Sequence, residues 1–196
     1  MFVNKGLQEI NFKIVYYGPG LSGKTTNLEY IYQHLDPTVR SDLVCLKTRE
    51  ERTLYFDFMQ LELGSIRGRK PRFNLYTVPG QVYYTFSRKI ILRGVDGVVF
   101  VADSQRSRLG DNLDSLLDLE KNLIEMGFSL EHFPWVIQYN KRDLPEVESI
   151  ASLQAHLNFF DVPYTAAVAT KGEQVLHTLK LIISQVISKI DILVQH

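Results

Sequence analysis

The stretch Gly18-Pro19-Gly20-Leu21-Ser22-Gly23-Lys24-Thr25 decides the fold of this chain of 196 residues. An apolar run, residues 14–17, comes directly before it, and apolar residues at helical spacing follow it as far as Leu35. A strand, a glycine-rich loop and a helix in this order form the context in which the pattern G-x-x-x-x-G-K-[ST] indicates a phosphate-binding loop. The alternative is a glycine-rich turn without a ligand, and the Lys-Thr pair at the start of the helix argues against it.

Each part of this loop has a chemical role toward a nucleoside polyphosphate. Glycines allow successive backbone N–H groups to curl around a phosphate, and the helix N-terminus adds a partial positive charge. The Lys24 ammonium is expected to reach the β- and γ-phosphates, and the Thr25 hydroxyl to bind Mg²⁺. The residues predicted to bind nucleotide in this loop are Gly18, Gly20, Leu21, Ser22, Gly23, Lys24, Thr25 and Thr26.

Length and composition restrict the class of protein. The length suits one α/β domain over residues 1–196, and the formal net charge of zero favours neither nucleic acid nor an anionic membrane as a partner. The single cysteine, Cys45, cannot form an internal disulfide, which is compatible with a reducing cytoplasm. Because no apolar stretch could span a bilayer and no targeting or lipidation motif is found, we expect a cytoplasmic protein without direct membrane insertion.

Downstream of the first helix, strand patterns and helix patterns alternate. Apolar runs at residues 97–102, 135–137 and 164–168 are typical of buried strands, and amphipathic stripes between and after them predict helices. This alternation predicts an α/β fold of the P-loop NTPase type, with a mostly parallel central sheet and helices on both faces. In such folds ligands bind at the carboxyl ends of the strands, where the phosphate loop lies.

Two segments depart from this alternation. Residues 37–52 are polar, mixed in charge and weakly periodic, which predicts a long mobile loop with a functional role. Two strands follow, joined by a cationic turn at residues 67–72. The first is predicted by a rough alternation of apolar residues: Leu54, Phe56, Phe58, Leu61 and Leu63. That turn is either a solvated hairpin tip, which we favour, or a partner-binding patch.

A second motif, Asn140-Lys141-Arg142-Asp143, follows the buried strand that ends near Tyr139. The Asp143 carboxylate can accept two hydrogen bonds from guanine, at N1–H and the 2-amino group, whereas adenine offers no such pair of donors. Asn140 can reach guanine N7, and the aliphatic stem of Lys141 can lie against the base plane. Losing one such buried hydrogen bond costs about 1–3 kcal/mol, so the motif predicts a preference for GTP over ATP.

The two motifs, in this order and spacing, resemble those of the Ras-like small GTPases over nearly the whole chain. Residues 78–81 resemble the second switch of that family. The resemblance implies that the Gly80 N–H binds the γ-phosphate and that Gln81 orients the attacking water. The family generally has an Asp three residues before this glycine, and the residue here is Thr77. The resemblance therefore implies that a carboxylate which helps to hold Mg²⁺ is absent, and that the metal binds less tightly.

The last guanine loop of that family is matched by residues 167–170. By the resemblance, Val168 and Ala169 belong to the nucleotide site, and the Ala169 N–H binds guanine O6. Val168 stands where the family usually has Ser, and Thr170 where it has Lys. Side-chain support of this loop therefore stays open.

Three stretches, residues 13–20, 77–81 and 136–145, closely resemble the bacterial mutual gliding protein A (MglA) family. These are polarity GTPases that control where motility machinery assembles. By this resemblance, Thr53 coordinates Mg²⁺ together with Thr25 and senses the γ-phosphate. Arg52 is then an arginine finger supplied in cis, which makes Arg52 and Gln81 the predicted catalytic residues. A surface charge on a mobile loop is the alternative for Arg52.

The resemblance also implies the ligands and partners of a molecular switch. The ligands are GTP or GDP with Mg²⁺, and hydrolysis is slow until a homodimeric, MglB-like Roadblock-domain activator orders the switches. Effectors of the polarity or motility machinery would read the GTP form through residues 37–54 and 81–94, and recruitment to a cell pole would follow. Tyr83 and Phe86 in the second segment are either interface anchors or residues that pack beneath it.

Two other functions fit parts of the pattern. A GTP-binding scaffold that recruits polarity partners without hydrolysis would result if Thr77 weakened Mg²⁺ binding, although Gln81 and Gly20 argue for catalysis. A P-loop kinase would prefer ATP and need an acceptor-binding lid, and the motif at residues 140–143 argues against both.

Overall fold

A computed structural model describes residues 2–4, 9–46, 56–66, 68–81 and 84–194. Its strands are β1 (Phe2–Asn4), β2 (Glu9–Tyr17), β3 (Val44–Leu46), β4 (Phe56–Glu62), β5 (Lys70–Thr77), β6 (Gly97–Asp103), β7 (Trp135–Asn140) and β8 (Tyr164–Ala166). Its helices are α1 (Lys24–His34), α2 (Thr85–Leu92), α3 (Leu109–Glu125), α4 (Ile150–Leu157) and α5 (Val175–Val194).

The strands form one mixed sheet in the order β3-β4-β5-β2-β6-β7-β8, and β1 also pairs with β2. The neighbouring pairs from β5 through β2, β6 and β7 to β8 are parallel, whereas β1–β2, β3–β4 and β4–β5 are antiparallel. Every residue of β6 and β7 is buried, as expected for strands covered on both faces. The predicted α/β fold with a mostly parallel sheet is confirmed.

Alternate residues of β2 belong to the cores on opposite faces of the sheet. Val15 and Tyr17 pack in the core that contains residues of α2, α3 and α4. Ile14 and Tyr16 pack in the core that contains residues of α1 and α5. Because β2, β5, β6, β7 and β8 are parallel, their carboxyl ends lie at one edge of the sheet, and the segments that follow them meet there.

The segment after α1 differs from the prediction of an irregular loop. Residues 44–46 form β3, which pairs antiparallel with β4 at the edge of the sheet, and Pro37–Val39 form a short 3₁₀ helix capped by the Asp36 carboxylate. Cross-strand hydrogen bonding to β4 outweighs the weak periodicity of the segment. The predicted finger Arg52 and the predicted metal ligand Thr53 lie outside the described residues.

The alternation predicted for β4 agrees with the structure at Leu61, which is buried, but not at Phe56 and Phe58. Its buried positions are Asp57, Met59 and Leu61, whereas Phe56 and Phe58 are half-buried and pack against Tyr76 of β5. The aromatic rings therefore lie on the face of β4 opposite to its buried residues, and the apolar pattern they create in the sequence is shifted by one position from the pattern of burial. A carboxylate on the buried face is unusual and identifies Asp57 as a candidate functional residue.

In the hairpin that joins β4 and β5, some of the basic residues that the structure describes form ion pairs with carboxylates. Lys70 lies 3.4 Å from Glu62, and Arg72 lies 2.8 Å from Glu9. These pairs favour the structural role of the turn over a partner-binding patch. Across the described residues, none of the helices has the length and apolar character that a membrane span requires.

Candidate nucleotide-binding site

The backbone of the phosphate loop depends on glycine at two positions. Gly18 has a φ of 141° and Gly23 a φ of 102°, and both values lie in the region that favours glycine. A Cβ on Gly18 would lie 2.2 Å from the carbonyl oxygen of Val101, and one on Gly23 would lie 2.2 Å from Nδ2 of Asn140. The loop is therefore seated directly against the ends of β6 and β7, with no room for side chains there.

Lys24 is buried at the start of α1. Its ammonium donates hydrogen bonds to the carbonyl oxygens of Gly18 (2.9 Å) and Pro19 (2.6 Å). Burial lowers the pKa of Lys24 to about 7, and the positive charges of Arg88 and Arg108 add to the shift. An anionic phosphate beside the ammonium would reverse this shift, so the residue is arranged to interact strongly with a polyphosphate.

A cavity of about 780 Å³ opens between the phosphate loop, β4 and the segment after β5. This volume is in the range of about 300–1,000 Å³ that small-molecule sites occupy. The structure brings together at this cavity the predicted residues Gly20, Leu21, Gly23, Lys24, Thr25, Thr26, Gly80 and Gln81. The guanine-motif residues do not line this cavity.

Asp57 also lines this cavity, and sequence reasoning missed it. Its Oδ2 accepts hydrogen bonds from the hydroxyls of Thr25 (2.6 Å) and Thr77 (2.9 Å). Asp57 is 7% exposed. A carboxylate therefore lies beside the predicted metal ligand Thr25, although none stands at position 77. The sequence does contain a sign of its role, because Asp57 is a charged residue at one of the alternating positions that are buried in β4.

The glycine of the second switch packs against the phosphate loop. A Cβ on Gly80 would lie 2.4 Å from the backbone nitrogen of Gly20 and 2.6 Å from the carbonyl oxygen of Pro19. The neighbouring Gln81 is exposed at the mouth of the cavity. The backbone N–H of Gly80 and the amide of Gln81 are thus close to the loop that would hold a γ-phosphate.

Asn140 joins the phosphate loop to the last guanine loop. Its Nδ2 donates to the carbonyl oxygen of Ser22 (2.8 Å), and its Oδ1 accepts from the N–H of Ala169 (2.9 Å). Asn140 is 2% exposed. The contact of the Ala169 N–H with guanine O6 stays a prediction; in this structure that N–H donates to Asn140. Val168 is buried, and its backbone pairs with Glu173.

The two charged residues of the guanine motif have partners that the motif does not reveal. Lys141 has a φ of 66°, and its ammonium lies 2.7 Å from the carboxylate of Asp103, a residue that is 1% exposed at the end of β6. The carboxylate of Asp143 is partly exposed and lies 3.5 Å from the ammonium of Lys171. Lys171 lies one position after Thr170, where the sequence left side-chain support of the loop open.

Arg88 on α2 fixes the backbone that follows β5. Its guanidinium donates to the carbonyl oxygen of Gln81 (2.6 Å) and to the carboxylate of Asp118 on α3 (2.8 Å). Asp118 also accepts a hydrogen bond from the Tyr17 hydroxyl, and burial raises the pKa of that hydroxyl. This chain of contacts connects the strand before the phosphate loop to the second switch.

Arg108, just before α3, is a second arginine that sequence reasoning missed. Its guanidinium donates to the carbonyl oxygen of Gly20 (2.8 Å) and forms an ion pair with Asp111. It also lines the cavity. No pattern in the sequence distinguishes it, because its position depends on how α3 meets the phosphate loop.

Comparison with known proteins agrees with this geometry. The chain is 53% identical over 189 residues to the "Mutual gliding-motility protein MglA" of Myxococcus xanthus (strain DK1622), a match that covers 96% of this chain and 97% of that protein. The chain belongs to the MglA family of small GTPases. No protein-family model matches it. The resemblance read from the three motif stretches is confirmed, and the MglA family assignment implies a guanine nucleotide as the ligand of the phosphate loop.

Proposed function

We propose that this protein is a GTP-hydrolysing molecular switch of the kind that controls motility or polarity machinery. The observation that carries the proposal is the Asn140 side chain, which ties the phosphate loop to the guanine loop by hydrogen bonds at 2.8 Å and 2.9 Å. A nucleotide that bound across both loops would be read at its base and at its phosphates together. The motility part comes from the name of the Myxococcus relative.

In this proposal, separate sets of residues bind the phosphates and the guanine base of the nucleotide. The backbone of residues 18–26 and the Lys24 ammonium hold the α-, β- and γ-phosphates. The Asp143 carboxylate accepts from guanine N1–H and the 2-amino group, with Lys171 holding that carboxylate in place. The stem of Lys141 lies against the base, and its pairing with Asp103 fixes the direction of the side chain.

The residues beside Lys24 fit a magnesium ion. Mg²⁺ takes hard oxygen ligands and usually binds through one or two protein groups plus phosphates and water. The Thr25 hydroxyl and the Asp57 carboxylate are such groups and lie together at the cavity. Thr53 is the second predicted ligand. The ion would neutralise charge on the β- and γ-phosphates.

Hydrolysis in this proposal is phosphoryl transfer to water. Gln81 orients the water and the Gly80 N–H binds the γ-phosphate, while Arg52 spreads positive charge over the transferred oxygens. An arginine finger is worth about 10³–10⁵ in rate. Turnover is slow without a partner, because Arg52 and Gln81 must both be held in place. A homodimeric Roadblock-domain activator would hold them without adding an arginine.

The switch is read by effectors through residues 37–54 and 81–94. Thr53 and Gly80 both contact the γ-phosphate, so its release relaxes both segments. Phe86 on α2 is 73% exposed and supports an interface within the second segment, because exposed aromatic side chains are typical anchors. Recruitment to a cell pole would follow from such partners.

Hydrolysis of GTP by the purified protein, with Mg²⁺ titrated, tests this proposal. We expect slow, Mg²⁺-dependent phosphate release that is lost in Gln81→Ala and stimulated by a Roadblock-domain dimer in the wild type but not in Arg52→Ala. Tight GTP binding without turnover, with or without the activator, would favour a non-hydrolysing scaffold. Equal binding of ATP and GTP would contradict the role of Asp143.

A further inference from the structure

The guanidinium of Arg108 reaches the phosphate loop from the start of α3. It donates a hydrogen bond to the carbonyl oxygen of Gly20 (2.8 Å). It also forms an ion pair with the carboxylate of Asp111 in the first turn of the same helix, and the Arg108 side chain is 31% exposed. A guanidinium carries its donors in a fixed plane. It can therefore bind a carboxylate on one side and hold a carbonyl in one direction on the other.

The Gly20 carbonyl belongs to the same peptide unit as the N–H of Leu21. Because that unit is planar and trans, its carbonyl oxygen and its amide hydrogen point in opposite directions. Fixing the carbonyl on Arg108 therefore fixes the direction of the Leu21 N–H. Among the described residues, that N–H has no hydrogen-bond acceptor. Leu21 lines the cavity of about 780 Å³ in which the phosphates are proposed to bind.

The conformation of Leu21 needs an external restraint. Its φ of 65° is uncommon for a residue other than glycine, and its side chain is 88% exposed, so packing does not hold it. The Lys24 ammonium bonds the carbonyls of residues 18 and 19, and the Asn140 amide bonds that of Ser22. Arg108 is the side chain that restrains the peptide unit before Leu21.

We propose that Arg108 is a positioning residue for phosphoryl transfer, which holds the peptide between Gly20 and Leu21 so that the Leu21 N–H is directed at the phosphates of GTP. An N–H group that is already oriented stabilises the developing negative charge without a cost of reorganisation. The reacting end of the nucleotide is close to this peptide, because a Cβ on Gly20 would lie 3.9 Å from Cγ of Gln81. Arg108 acts through the peptide, unlike the finger Arg52. This inference rests on the proposed function.

The test compares single-turnover GTP hydrolysis in Arg108→Met and the wild type at saturating Mg²⁺. We expect the rate to fall about 10- to 100-fold in the variant, because misplacing a group by about 1 Å costs up to about 100-fold. The affinity for GTP should fall much less, since Lys24 and the other N–H groups of the loop still bind. Arg108→Lys keeps a cation and should recover part of the rate. Arg106→Met is the matched control, on the same turn with a side chain that is 69% exposed, and should hydrolyse GTP at the wild-type rate.

NMR measures the peptide itself. With GDP and Mg²⁺ bound, the amide proton of Leu21 should shift in Arg108→Met, because its hydrogen bond to phosphate changes direction, and should keep its position in Arg106→Met. Asp111→Asn guards against a folding defect, since it leaves Arg108 in place and weakens only its anchor. It should lower the rate and shift the Leu21 amide to a smaller extent. Asp114→Asn, an exposed carboxylate on the same helix, is its control and should change neither.

The outcomes distinguish this inference from the function on which it rests. A wild-type rate in Arg108→Met, or a Leu21 amide that does not shift, would overturn this inference alone. An equal loss of rate in Arg106→Met would also overturn it, because the effect would not depend on the contact with Gly20. If the wild type binds no guanine nucleotide or does not hydrolyse GTP, the proposed function fails and this inference with it.

Discussion

At the scale of single residues, the site is shaped by groups placed under electrostatic or steric constraint. Lys24 is a buried cation bonded to two backbone carbonyls, and its pKa is lowered to about 7 from an ordinary value of 10.5. Gly80 is pressed against backbone atoms of the phosphate loop. Each constraint leads to a measurable consequence.

The lowered pKa of Lys24 predicts that nucleotide binding takes up a proton. Above pH 7 the buried amine increasingly loses its proton, whereas phosphates beside it favour the charged form and raise its pKa. GDP affinity should therefore fall as pH rises from 7.5 to 8.5, by up to about tenfold. Calorimetry in two buffers of different ionisation enthalpy measures the uptake. Lys24→Met should bind weakly and take up no proton, and wild-type binding without proton uptake would contradict the prediction.

A methyl group at Gly80 should impair the second switch. In Gly80→Ala the new Cβ would lie 2.4 Å from the backbone nitrogen of Gly20. Backbone atoms of the phosphate loop cannot move aside as the end of a flexible side chain could. We expect GTP turnover to be lost while GDP is still bound, because GDP makes no γ-phosphate contact. Gly110→Ala on α3 is the control, since a Cβ there meets nothing within 4 Å. Normal turnover in Gly80→Ala would argue against this packing in the working enzyme.

At the scale of elements, α2 and α3 hold the second switch through one buried ion pair. Arg88 is 8% exposed in its side chain and bonds both Asp118 and the carbonyl oxygen of Gln81. The adjacent Lys89 also forms an ion pair, with Glu125, but the side chains of these two residues are much more exposed. The two pairs allow a direct comparison of buried and exposed charges on the same helix.

Arg88→Met should destabilise the protein by about 3 kcal/mol, because it leaves a largely buried carboxylate without its cation. Lys89→Met should cost less than about 1 kcal/mol, since exposed ion pairs contribute little. Urea unfolding of the protein in one nucleotide state measures both changes. Equal losses of stability in the two variants would show that the Arg88–Asp118 pair has no special role.

At the scale of the whole molecule, five parallel strands deliver the parts of the site to one edge of the sheet. The phosphate loop follows β2, the second switch follows β5, and the guanine loops follow β7 and β8. Asn140 joins two of these segments that are distant in sequence, Ser22 and Ala169. Removing that link should therefore affect both ends of the nucleotide.

Asn140→Ala should lower the affinity for GTP and GDP alike and the thermal stability as well. Two buried hydrogen bonds are lost, at about 1–3 kcal/mol for each group left unpaired. Asn158→Ala is the matched control. The Asn158 side chain also makes two hydrogen bonds to backbone, with the N–H and the carbonyl oxygen of Val162, but it lies at the end of α4. It should lose stability and keep nucleotide affinity. A loss of affinity equal in both variants would show that the effect is one of general stability.

The sequence by itself determined the fold class, the phosphate loop and the guanine motif. Local spacing was enough for these, because a glycine-rich turn between a strand and a helix and an Asn-Lys-x-Asp run are short contiguous patterns. Only the tertiary structure decided that β3 adds an edge strand, that Asn140 takes the Ala169 donor, and that Asp57 stands beside Thr25. These features depend on pairing between strands that are separate in the chain. The register of β4 against β5 places a carboxylate where no motif along the chain records one.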